Sequence, residues 1–451
     1  MDSLEVDTIV AISTAPGSGA IAVIRVSGPA ATAVLARVAP GLRDVEPRRM
    51  RLAAIADPRT GEAIDRALVV LHPGPGSYTG EDLVEISGHG GWLGPALVLD
   101  ACVAAGARQA EPGEFTRRAY LNGRMDLTQA EAVADLVDGR SRAARRAALS
   151  QLDRGLARRV LELRSSLLGI EALLAHHLDF PEEDDPPVPT ARIGEAADGV
   201  ATRLEALIAT APEGELLREG ALAVIAGRTN SGKSSLFNAL LGQERAIVTE
   251  LPGTTRDALE ASVSLGGYPF RLVDTAGLRE SEERVERLGI EVARRYLAAA
   301  DVVLLCVEDG REPEADERAF AAEADGRPVV LVRTKTDLAE RGDAATEGLA
   351  VSAFSGVGLD ALRAELAARA FSGLVRADAD APVLTRARQA AAARVARDEV
   401  RAFAGALRAG VGAEVAAAHL GAAEGALEEI VGTITSEDVL DRLFRDFCIG
   451  K

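Results

Sequence analysis

The chain has 451 residues, of which 47% are hydrophobic and 27% are charged, and it carries a formal net charge of -18 at pH 7. Its length predicts two or three domains, and its composition is typical of soluble globular proteins rather than of disordered or fibrous ones. The acidic balance argues against a protein that coats nucleic acid through its overall charge, but it does not exclude a local basic face.

The basic residues are unevenly divided, with 48 arginines and only three lysines, Lys233, Lys335 and Lys451. This bias matters because arginine and lysine differ wherever a compact ammonium group is needed. The three cysteines are scattered and form no CxxC pair, so neither a zinc site nor a disulfide framework is indicated. The chain contains no run of about 18 apolar residues and no basic-then-apolar leader, so we expect no membrane span and a cytoplasmic location.

Residues 1 to about 120 have a mixed α/β pattern. Strand-like runs cover residues 8–12, 20–26, 64–71 and 83–87. A helical run follows from Trp92. These alternating elements predict an α+β domain at the N-terminus.

The middle of the chain, from about 220 to 371, changes to short apolar runs separated by polar segments. The strand-like runs cover residues 221–226, 258–265, 268–274, 302–307 and 329–332. Gly266-Gly267 lies between the second and the third of them and predicts a β-hairpin. The remaining strand and helix alternation predicts a nucleotide-binding sheet with one antiparallel pair.

Helical patterns flank this middle block at about 127–217 and after 372, and a proline- and acid-rich stretch at 179–189 interrupts the first of them. Neither half has an obvious core of its own, so we expect one helical domain into which the α/β domain is inserted. The overall class is therefore α/β plus all-α. The predicted segments are 1–121, 122–218, 219–371 and 372–451.

A phosphate-binding motif, G-x-x-x-x-G-K-S, occupies residues 227–234, after a strand-like run and before a helical one. Its backbone N–H groups would face the phosphates, Lys233 would reach the β- and γ-phosphates, and the Ser234 hydroxyl would ligate Mg²⁺. The predicted nucleotide contacts here are Asn230, Ser231, Gly232, Lys233, Ser234 and Ser235.

Three later segments complete a guanine nucleotide site. The first is the D-x-x-G sequence Asp274, Thr275, Ala276 and Gly277, which ends an apolar strand, as a switch that senses the γ-phosphate does. The second follows another strand and consists of Thr334, Lys335, Thr336 and Asp337. The third is the predicted loop over the base, Ser352, Ala353 and Phe354. The Asp337 carboxylate can accept both N1–H and the 2-amino group of guanine, which indicates GTP. Thr334 stands where such motifs usually have Asn, so we expect weaker nucleotide affinity.

Further motifs lie outside this region. They include Ala-Pro-Gly-Ser-Gly-Ala-Ile at 15–21, Ser-Tyr-Thr-Gly-Glu-Asp at 77–82, Glu-Pro-Gly-Glu-Phe-Thr-Arg-Arg-Ala at 111–119, and Phe-Cys-Ile-Gly-Lys at 447–451. With them, the chain resembles the MnmE (TrmE) family of tRNA-modifying GTPases along nearly its whole length. The resemblance implies an N-terminal domain that dimerises and binds a one-carbon tetrahydrofolate, a central helical domain, and an inserted Ras-like P-loop GTPase domain.

The resemblance also implies a function. The family works with the flavoprotein MnmG (GidA), in a heterotetramer, to install a carboxymethylaminomethyl-type group at C5 of the wobble uridine, position 34, of certain tRNAs. A K⁺ ion takes the place of an arginine finger when two G domains meet. The matching K⁺ ligands are Asn230, Thr249, Leu251 and Thr254; Thr255 would complete the Mg²⁺ site, Glu286 would orient the attacking water, and Glu250, Pro252 and Gly253 lie in the same nucleotide-binding loop.

For the folate, in its 5-formyl or methylene form, the resemblance points to Arg25, Glu85, Arg124 and Lys451, and it makes Cys448 a candidate reactive residue. A carboxylate such as Glu85 can accept hydrogen bonds from a pterin edge, and cations suit the glutamate tail of the folate.

Two questions stay open at this level. Residues 140–164 hold eight arginines against two acids, Asp153 and Glu162, which fits either a tRNA-facing stripe or, more simply, a solvated helix face in an arginine-rich chain. The G-domain motifs alone also fit a regulatory ribosome-assembly GTPase. The N-terminal motifs and the closing residues 447–451 favour tRNA modification.

Overall fold

The structure is a computed structural model. It describes residues 7–43, 45–179, 188–242, 260–275, 295–315, 317–318, 326–338, 347–376, 381–432, 437–445 and 447–451. The chain divides into two compact units, Met1–Ala134 with Val431–Lys451 and Asp135–Ile430. Across the described ranges, every helix is too short or too polar to traverse a lipid bilayer.

The strands are β1 (Ile9–Ile12), β2 (Ile21–Ser27), β3 (Arg51–Ala56), β4 (Ala63–His72), β5 (Leu83–His89), β6 (Arg108–Gln109), β7 (Ala221–Gly227), β8 (Glu260–Leu265), β9 (Tyr268–Asp274), β10 (Val302–Glu308), β11 (Val329–Thr334) and β12 (Leu349–Ala350). The helices in the first half of the chain are α1 (Ala31–Val38), α2 (Leu93–Ala104), α3 (Glu114–Leu121), α4 (Leu127–Asp138), α5 (Arg142–Leu152), α6 (Gly155–Asp179), α7 (Thr190–Ile208) and α8 (Ala211–Glu219). Those of the second half are α9 (Lys233–Gly242), α10 (Leu359–Ala370), α11 (Ser372–Arg376), α12 (Ala387–Arg408), α13 (Ala413–Val431) and α14 (Glu437–Arg445).

The first unit is built on a six-stranded sheet in the order β3-β4-β5-β2-β1-β6. All neighbouring strands are antiparallel except the parallel pair β1 and β6. Alternate residues point to opposite faces of a strand. Ile24 and Ile86 therefore join the core with α1 and α2, whereas their neighbours Arg25 and Glu85 lie on the opposite face.

The C-terminal segment belongs to the same unit. Leu440, Phe444 and Phe447 pack against Leu127 and Ala130 at the start of α4 in one hydrophobic cluster. This packing places the last residues of the chain close to the loop before α3, where Ile449 forms an isolated bridge with Pro112.

The second unit contains a sheet in the order β12-β11-β10-β7-β9-β8, which is parallel except for the β8–β9 pair. The central strand β7 is buried on both faces, as its unbroken apolar sequence predicts. Leu265 pairs with Tyr268 across Gly266 and Gly267, whose φ angles of 59° and 85° are those of a type I′ turn, so the predicted hairpin is confirmed.

Helices that precede and follow this sheet in sequence pack together. α7 and α12 lie along each other, and buried side chains such as Leu204 and Phe403 belong to these two helices. The prediction that an α/β domain is inserted into a helical one is thereby confirmed. The exact segment boundaries given above stay a prediction.

The predicted strands all exist within one or two residues of their expected bounds over the described ranges, and the helix expected from Trp92 begins at Leu93. Strand β3 was not expected, because its sequence Arg-Leu-Ala-Ala-Ile-Ala is rich in helix-favouring alanine. Pairing with β4 and burial of Ile55 override that local preference.

Candidate functional site

Strand β7 leads directly into a tight loop over residues 227–232, which then opens helix α9. Gly227, Asn230 and Gly232 have φ angles of 145°, 65° and 84°. A Cβ atom on Gly227 would lie 2.5 Å from the Cys306 carbonyl oxygen, so only glycine fits there. Glycine-rich loops of this kind present N–H groups to an anion, and the dipole at the start of α9 favours an anion as well.

The side chains of this loop are held in place by short polar contacts. The Lys233 ammonium donates to the carbonyl oxygens of Gly227 (3.0 Å) and Arg228 (2.6 Å). The Ser234 hydroxyl donates to Asp274 Oδ2 at 2.7 Å, which brings together the two groups expected around Mg²⁺. Ser235 is exposed at the start of α9, and Thr275 donates from its hydroxyl to the Ile225 carbonyl at 2.8 Å.

Ser231 is 3% exposed, and its Oγ has no hydrogen-bond partner in the part of the chain that the structure describes. A buried hydroxyl without a partner is costly, so this atom fits a site built to receive a polar group of a ligand. Phosphate oxygens suit such a position, at the turn that also carries Lys233.

Thr334 links this phosphate loop to the base-reading segment. Its hydroxyl donates to the Ser231 carbonyl oxygen at 2.7 Å, and the Val307 carbonyl lies at 3.4 Å. Thr334 is 4% exposed, so the contact is sheltered from water. The Thr334 hydroxyl therefore connects the end of strand β11 to the phosphate loop, at the position where such motifs usually have the amide of Asn.

The predicted base-reading residues gather at the carboxyl ends of β11 and β12. The Ser352 hydroxyl donates to Asp337 Oδ1 at 2.5 Å, which fixes one carboxylate oxygen and leaves the other side of Asp337 exposed. Lys335 lies 3.3 Å from Glu308 and Thr336 is half-buried. Ala353 is half-buried beside Phe354, which is 92% exposed.

Together these residues form what we call the nucleotide site, at the carboxyl edge of a parallel sheet, where such folds bind ligands. Several of its predicted members, Thr249, Glu250, Leu251, Pro252, Gly253, Thr254, Thr255, Ala276, Gly277 and Glu286, lie outside the described residues.

A second cluster, here called the N-terminal site, contains the four predicted folate residues. Arg25 and Glu85 are direct partners in the β2–β5 register, and Arg25 Nε donates to Glu85 Oε1 at 2.9 Å. The Arg25 guanidinium also lies 5.6 Å from the centre of the Tyr78 ring. Both charged side chains are about one-quarter exposed, so the pair opens to solvent on the sheet face away from α1 and α2.

The C-terminal tail reaches the same place. Ser13 Oγ donates to the Gly450 carbonyl at 3.0 Å, and the Gly113 N–H donates to the Cys448 carbonyl at 3.3 Å. Burial, followed by the nearby positive charge of Arg25, lowers the pKa of Lys451 below the usual range for lysine. Cys448 has an exposed thiol, and its carbonyl oxygen also accepts from the Lys451 N–H at 3.3 Å, so the two residues lie together at the end of the tail.

Arg124 enters from the loop before α4. Its Nε donates to the Ser77 carbonyl at 3.0 Å, and a Cβ on Gly80 would lie 3.2 Å from Arg124 Cγ. The 77–80 turn therefore packs against Arg124, and this turn places the Tyr78 ring next to the Arg25 guanidinium. The structure thus brings all four predicted folate residues into one neighbourhood.

Two further residues belong to this neighbourhood that the sequence alone did not single out. Tyr78 contacts Arg25, and His72 Nε2 lies 3.9 Å from Glu85 Oε2. Tyr78 lies within the motif at residues 77–82, and its hydroxyl bonds the Thr116 hydroxyl at 2.8 Å. Burial of the ring raises the pKa of this tyrosine. The position of His72 next to Glu85 is explained by the strand register. β4 and β5 pair antiparallel with Val70 opposite Glu85, and His72 lies two residues after Val70 on the same face of β4.

Known tRNA modification GTPases match this chain over nearly its whole length. Sequence profiles of the "GTP-binding protein TrmE N-terminus" and the "MnmE helical domain" match residues 8–124 and 127–448. A "tRNA modification GTPase MnmE" from Moorella thermoacetica is 42% identical over 463 residues, covering 99% of both chains. The one from Methylobacterium radiotolerans is 46% identical over 460 residues, covering 99% of this chain and all of that protein. Among solved structures, the G domain of the T. maritima FeoB iron transporter is 26% identical over 33% of this chain and 98% of its own, with a TM-score of 0.25.

Proposed function

This chain belongs to the MnmE family of tRNA modification GTPases, and on that basis we propose that it is a potassium-activated GTPase that modifies the wobble uridine of tRNA. It hydrolyses GTP to GDP and phosphate when two G domains meet. With the flavoprotein MnmG (GidA) it installs a carboxymethylaminomethyl-type group at C5 of uridine 34. The observation that carries the proposal is the match of the whole chain to tRNA modification GTPases, combined with a nucleotide site and a separate cationic cluster in the N-terminal unit.

The nucleotide site supports GTP with Mg²⁺. Lys233 would hold the β- and γ-phosphates, Ser234 and Thr255 would ligate the metal, and Asp274 would hold the Ser234 side chain, to which it is already bonded. Bound Mg²⁺ neutralises phosphate charge. Asp337 would accept the two guanine donors while Ser352 holds its other oxygen.

We attribute potassium activation to Asn230 together with Thr249, Leu251 and Thr254, and the positioning of the attacking water to Glu286. Asn230 adopts a φ of 65° at the turn of the phosphate loop, which suits an oxygen ligand beside the phosphates. The test is phosphate release in KCl against NaCl at equal ionic strength. We expect at least a 10-fold higher rate in KCl, since a well-placed positive charge is worth about 10³-fold or more in related GTPases.

Equal rates in the two salts would contradict potassium activation. Glu286→Gln should hydrolyse GTP slowly at saturating K⁺ while it still binds nucleotide. A normal rate for that variant would remove Glu286 from the catalytic role.

The N-terminal site is proposed to bind a one-carbon tetrahydrofolate, in its 5-formyl or methylene form. Glu85 would accept hydrogen bonds from the pterin edge, and Arg25, Arg124 and Lys451 would attract the carboxylates of the tail. Cys448, exposed and close to Lys451, is the proposed reactive residue. Titration of the full chain with 5-formyltetrahydrofolate tests the site, and an absence of saturable binding would reject it.

A homodimer through the N-terminal unit is also proposed. Leu52, Leu68 and Ile21 are 58%, 43% and 64% exposed on the sheet face opposite α1 and α2, and Leu52 pairs directly with Leu68. Exposed apolar groups on one sheet face favour association. We expect Leu52→Glu/Leu68→Glu to sediment as a monomer, whereas Val395→Glu, at an exposed position of α12, should behave like wild type.

The decisive experiment is mass spectrometry of tRNA nucleosides from a strain that lacks this protein. The proposal predicts wobble uridine without the C5 group, restored by the wild-type gene and not by a Lys233→Ala variant. A normal nucleoside pattern in the deletion strain would overturn the proposed function.

A further inference from the structure

Five exposed arginines lie on α5, in the turn that follows it and at the start of α6. They are Arg142, Arg145, Arg146, Arg154 and Arg158, here called the arginine surface. Residues three or four positions apart on a helix lie on neighbouring turns, with Cβ atoms about 5–6 Å apart. Arg145 and Arg146 are therefore neighbours of Arg142 on α5. Arg154 lies in the turn before α6, with a φ of 63°, and its carbonyl oxygen accepts from the Arg158 N–H at 2.9 Å.

None of the five forms an ion pair with any residue that the structure describes. The two acids of this stretch do not neutralise them. Glu162 pairs with Arg159 at 3.2 Å, which leaves only Asp153, at the end of α5, in the same stretch. The arginine surface thus carries an excess of positive charge in a chain whose net charge is -18.

A solvated face in an arginine-rich chain is the simpler explanation, and the same unit provides a comparison. On α12, Arg397 and Arg401 both pair with Glu205 of α7, at 3.2 Å and 3.1 Å. Arg408 likewise pairs with Asp198 at 2.9 Å. Three arginines of α12 are therefore balanced by acids of α7, whereas Arg394, exposed on the same helix, has no acidic partner among the described residues. The arginine surface differs because five exposed arginines without such partners lie within 17 residues of the sequence, so it fits a partner that brings the negative charge.

The chemistry of the surface favours a sugar–phosphate backbone over other anions. Guanidinium groups bind phosphate oxygens in a planar, two-pronged fashion, and a row of them suits a row of phosphates. Residues 142–158 contain no aromatic side chain, and the ring of Tyr268, which lies near Arg146, is already stacked on Phe371 with a centroid distance of 4.7 Å. The expected contacts are therefore with the RNA backbone and not with the bases. The tRNA on which this protein is proposed to act has such a backbone, so no additional partner needs to be invoked.

We propose that the arginine surface contacts the phosphates of the tRNA substrate. This inference rests on the proposed function and adds to it the place where the RNA lies. The N-terminal end of α5 is anchored to the β8–β9 hairpin, because the Ala143 N–H donates to the Gly267 carbonyl at 2.9 Å and Arg140 Nη1 donates to Ser262 Oγ at 2.9 Å. The tRNA would therefore run beside this hairpin of the GTPase sheet.

The test measures binding of a tRNA transcript with uridine at position 34 over a range of salt concentrations. The variant Arg142→Gln/Arg145→Gln/Arg154→Gln/Arg158→Gln removes four charges, and glutamine is a good helix former at the helical positions 142, 145 and 158. We expect its affinity to fall about 30-fold or more at 0.1 M salt, and the slope of log affinity against log salt to drop by about 3. The single variant Arg145→Gln should lower that slope by about 1.

Arg394→Gln is the matched control, because Arg394 is equally exposed on α12 and likewise forms no ion pair with a described residue. It should bind tRNA with the wild-type slope, and an unchanged thermal unfolding midpoint should accompany all the variants. Wild-type affinity and slope in the four-fold variant would overturn the inference. So would a variant that binds tRNA normally but no longer binds the flavoprotein partner, since the surface would then recognise a protein.

Failure of the arginine-surface inference can be distinguished from failure of the proposed function. If nucleosides from the deletion strain lack the modification while the four-fold variant binds tRNA like wild type, only the arginine surface is rejected. If the deletion strain has normal nucleosides, the proposed function fails whatever the variants bind.

Discussion

The nucleotide site takes its described side chains from short segments that each end a parallel strand, whereas the N-terminal site takes them from β2, β5, the loop before α4 and the last residue of the chain. In the first, the backbone of a contiguous motif builds most of the site, as at Gly227 and Lys233. In the second, strand register and tail packing bring together residues hundreds of positions apart, such as Arg25 and Lys451. A local motif is therefore visible in sequence, while an assembled site becomes visible only through long-range contacts.

Removal of the phosphate-binding lysine should give the largest effect. In Lys233→Ala, the β- and γ-phosphates lose a cation, and hydrogen bonds to charged groups contribute about 1.5–3 kcal/mol each. We expect GTP affinity to fall by about 100-fold or more and hydrolysis to become undetectable above background. Fluorescent nucleotide titration and phosphate release measure the two effects.

The same variant sharpens the comparison between the sites, because the N-terminal site belongs to the other compact unit. It should bind 5-formyltetrahydrofolate with wild-type affinity. A parallel loss of folate affinity would mean that the two sites are not independent. Arg394→Gln serves as the exposed control for both measurements.

Base specificity should change in Asp337→Asn. An amide can donate to the oxygen that xanthine carries at C2, whereas it cannot accept both guanine donors. We expect affinity for GTP to fall about 100-fold and affinity for the xanthosine nucleotide to exceed it. The Ser352 hydroxyl can still donate to the amide oxygen, so the loop should keep its place. An unchanged preference for GTP would sink the assignment of Asp337.

For the N-terminal site, Glu85→Gln tests the cross-strand pair. The variant removes the acceptor charge for the pterin and leaves Arg25 without its carboxylate partner at 2.9 Å. Folate affinity should fall about 10- to 100-fold, as for a lost charged hydrogen bond. Glu62→Gln, exposed at a turn of the same unit, is the control. Equal folate affinity in the two variants would place the folate elsewhere.

The sequence predicted the inserted sheet, its hairpin and the phosphate loop, because each depends on local signals such as Gly266-Gly267 or the spacing of Gly227 and Lys233. It did not predict β3, whose alanines favour a helix until β4 pairs with them. It also could not place Tyr78 under Arg25, because that contact depends on the turn held by Arg124. The arginine-rich stretch was visible in sequence, but the lack of ion pairs at the five residues of the arginine surface, among the described residues, required the structure.

A smaller effect is expected at Thr334, the hydroxyl that joins the two halves of the nucleotide site. Thr334→Val keeps the shape of the side chain but leaves the buried Ser231 carbonyl without its donor. An unpaired buried group costs about 1–3 kcal/mol, so GTP affinity should fall about 10-fold. Thr334→Asn should bind GTP more tightly than wild type, because an amide supplies two donors. Nucleotide titration of both variants decides the point, and a weaker Thr334→Asn would contradict the expectation drawn from the motif.

The smallest predicted effect concerns acid stability of the N-terminal unit, where Arg108 and Arg118 bond Glu114 at 2.7 Å and 2.9 Å. Burial raises the pKa of Glu114, but the hydrogen bonds from Arg108, the Glu111 N–H and Arg118 together outweigh it and hold the pKa below its usual value. A carboxyl whose pKa is lowered on folding stabilises the fold above its unfolded pKa of about 4.3, and that stabilisation is lost as the pH falls through the folded pKa.

Wild type should therefore exceed Glu114→Gln in stability by roughly 1 kcal/mol at pH 6, and the difference should shrink at pH 3. Thermal unfolding of both proteins at the two pH values measures it, with Glu62→Gln as the exposed control. Because Arg118 also bonds Asp7 and contacts Glu81, loss of one carboxylate leaves its charge partly compensated, which keeps the effect small. A difference that grows at low pH would mean that burial, and not the arginines, dominates the titration of Glu114.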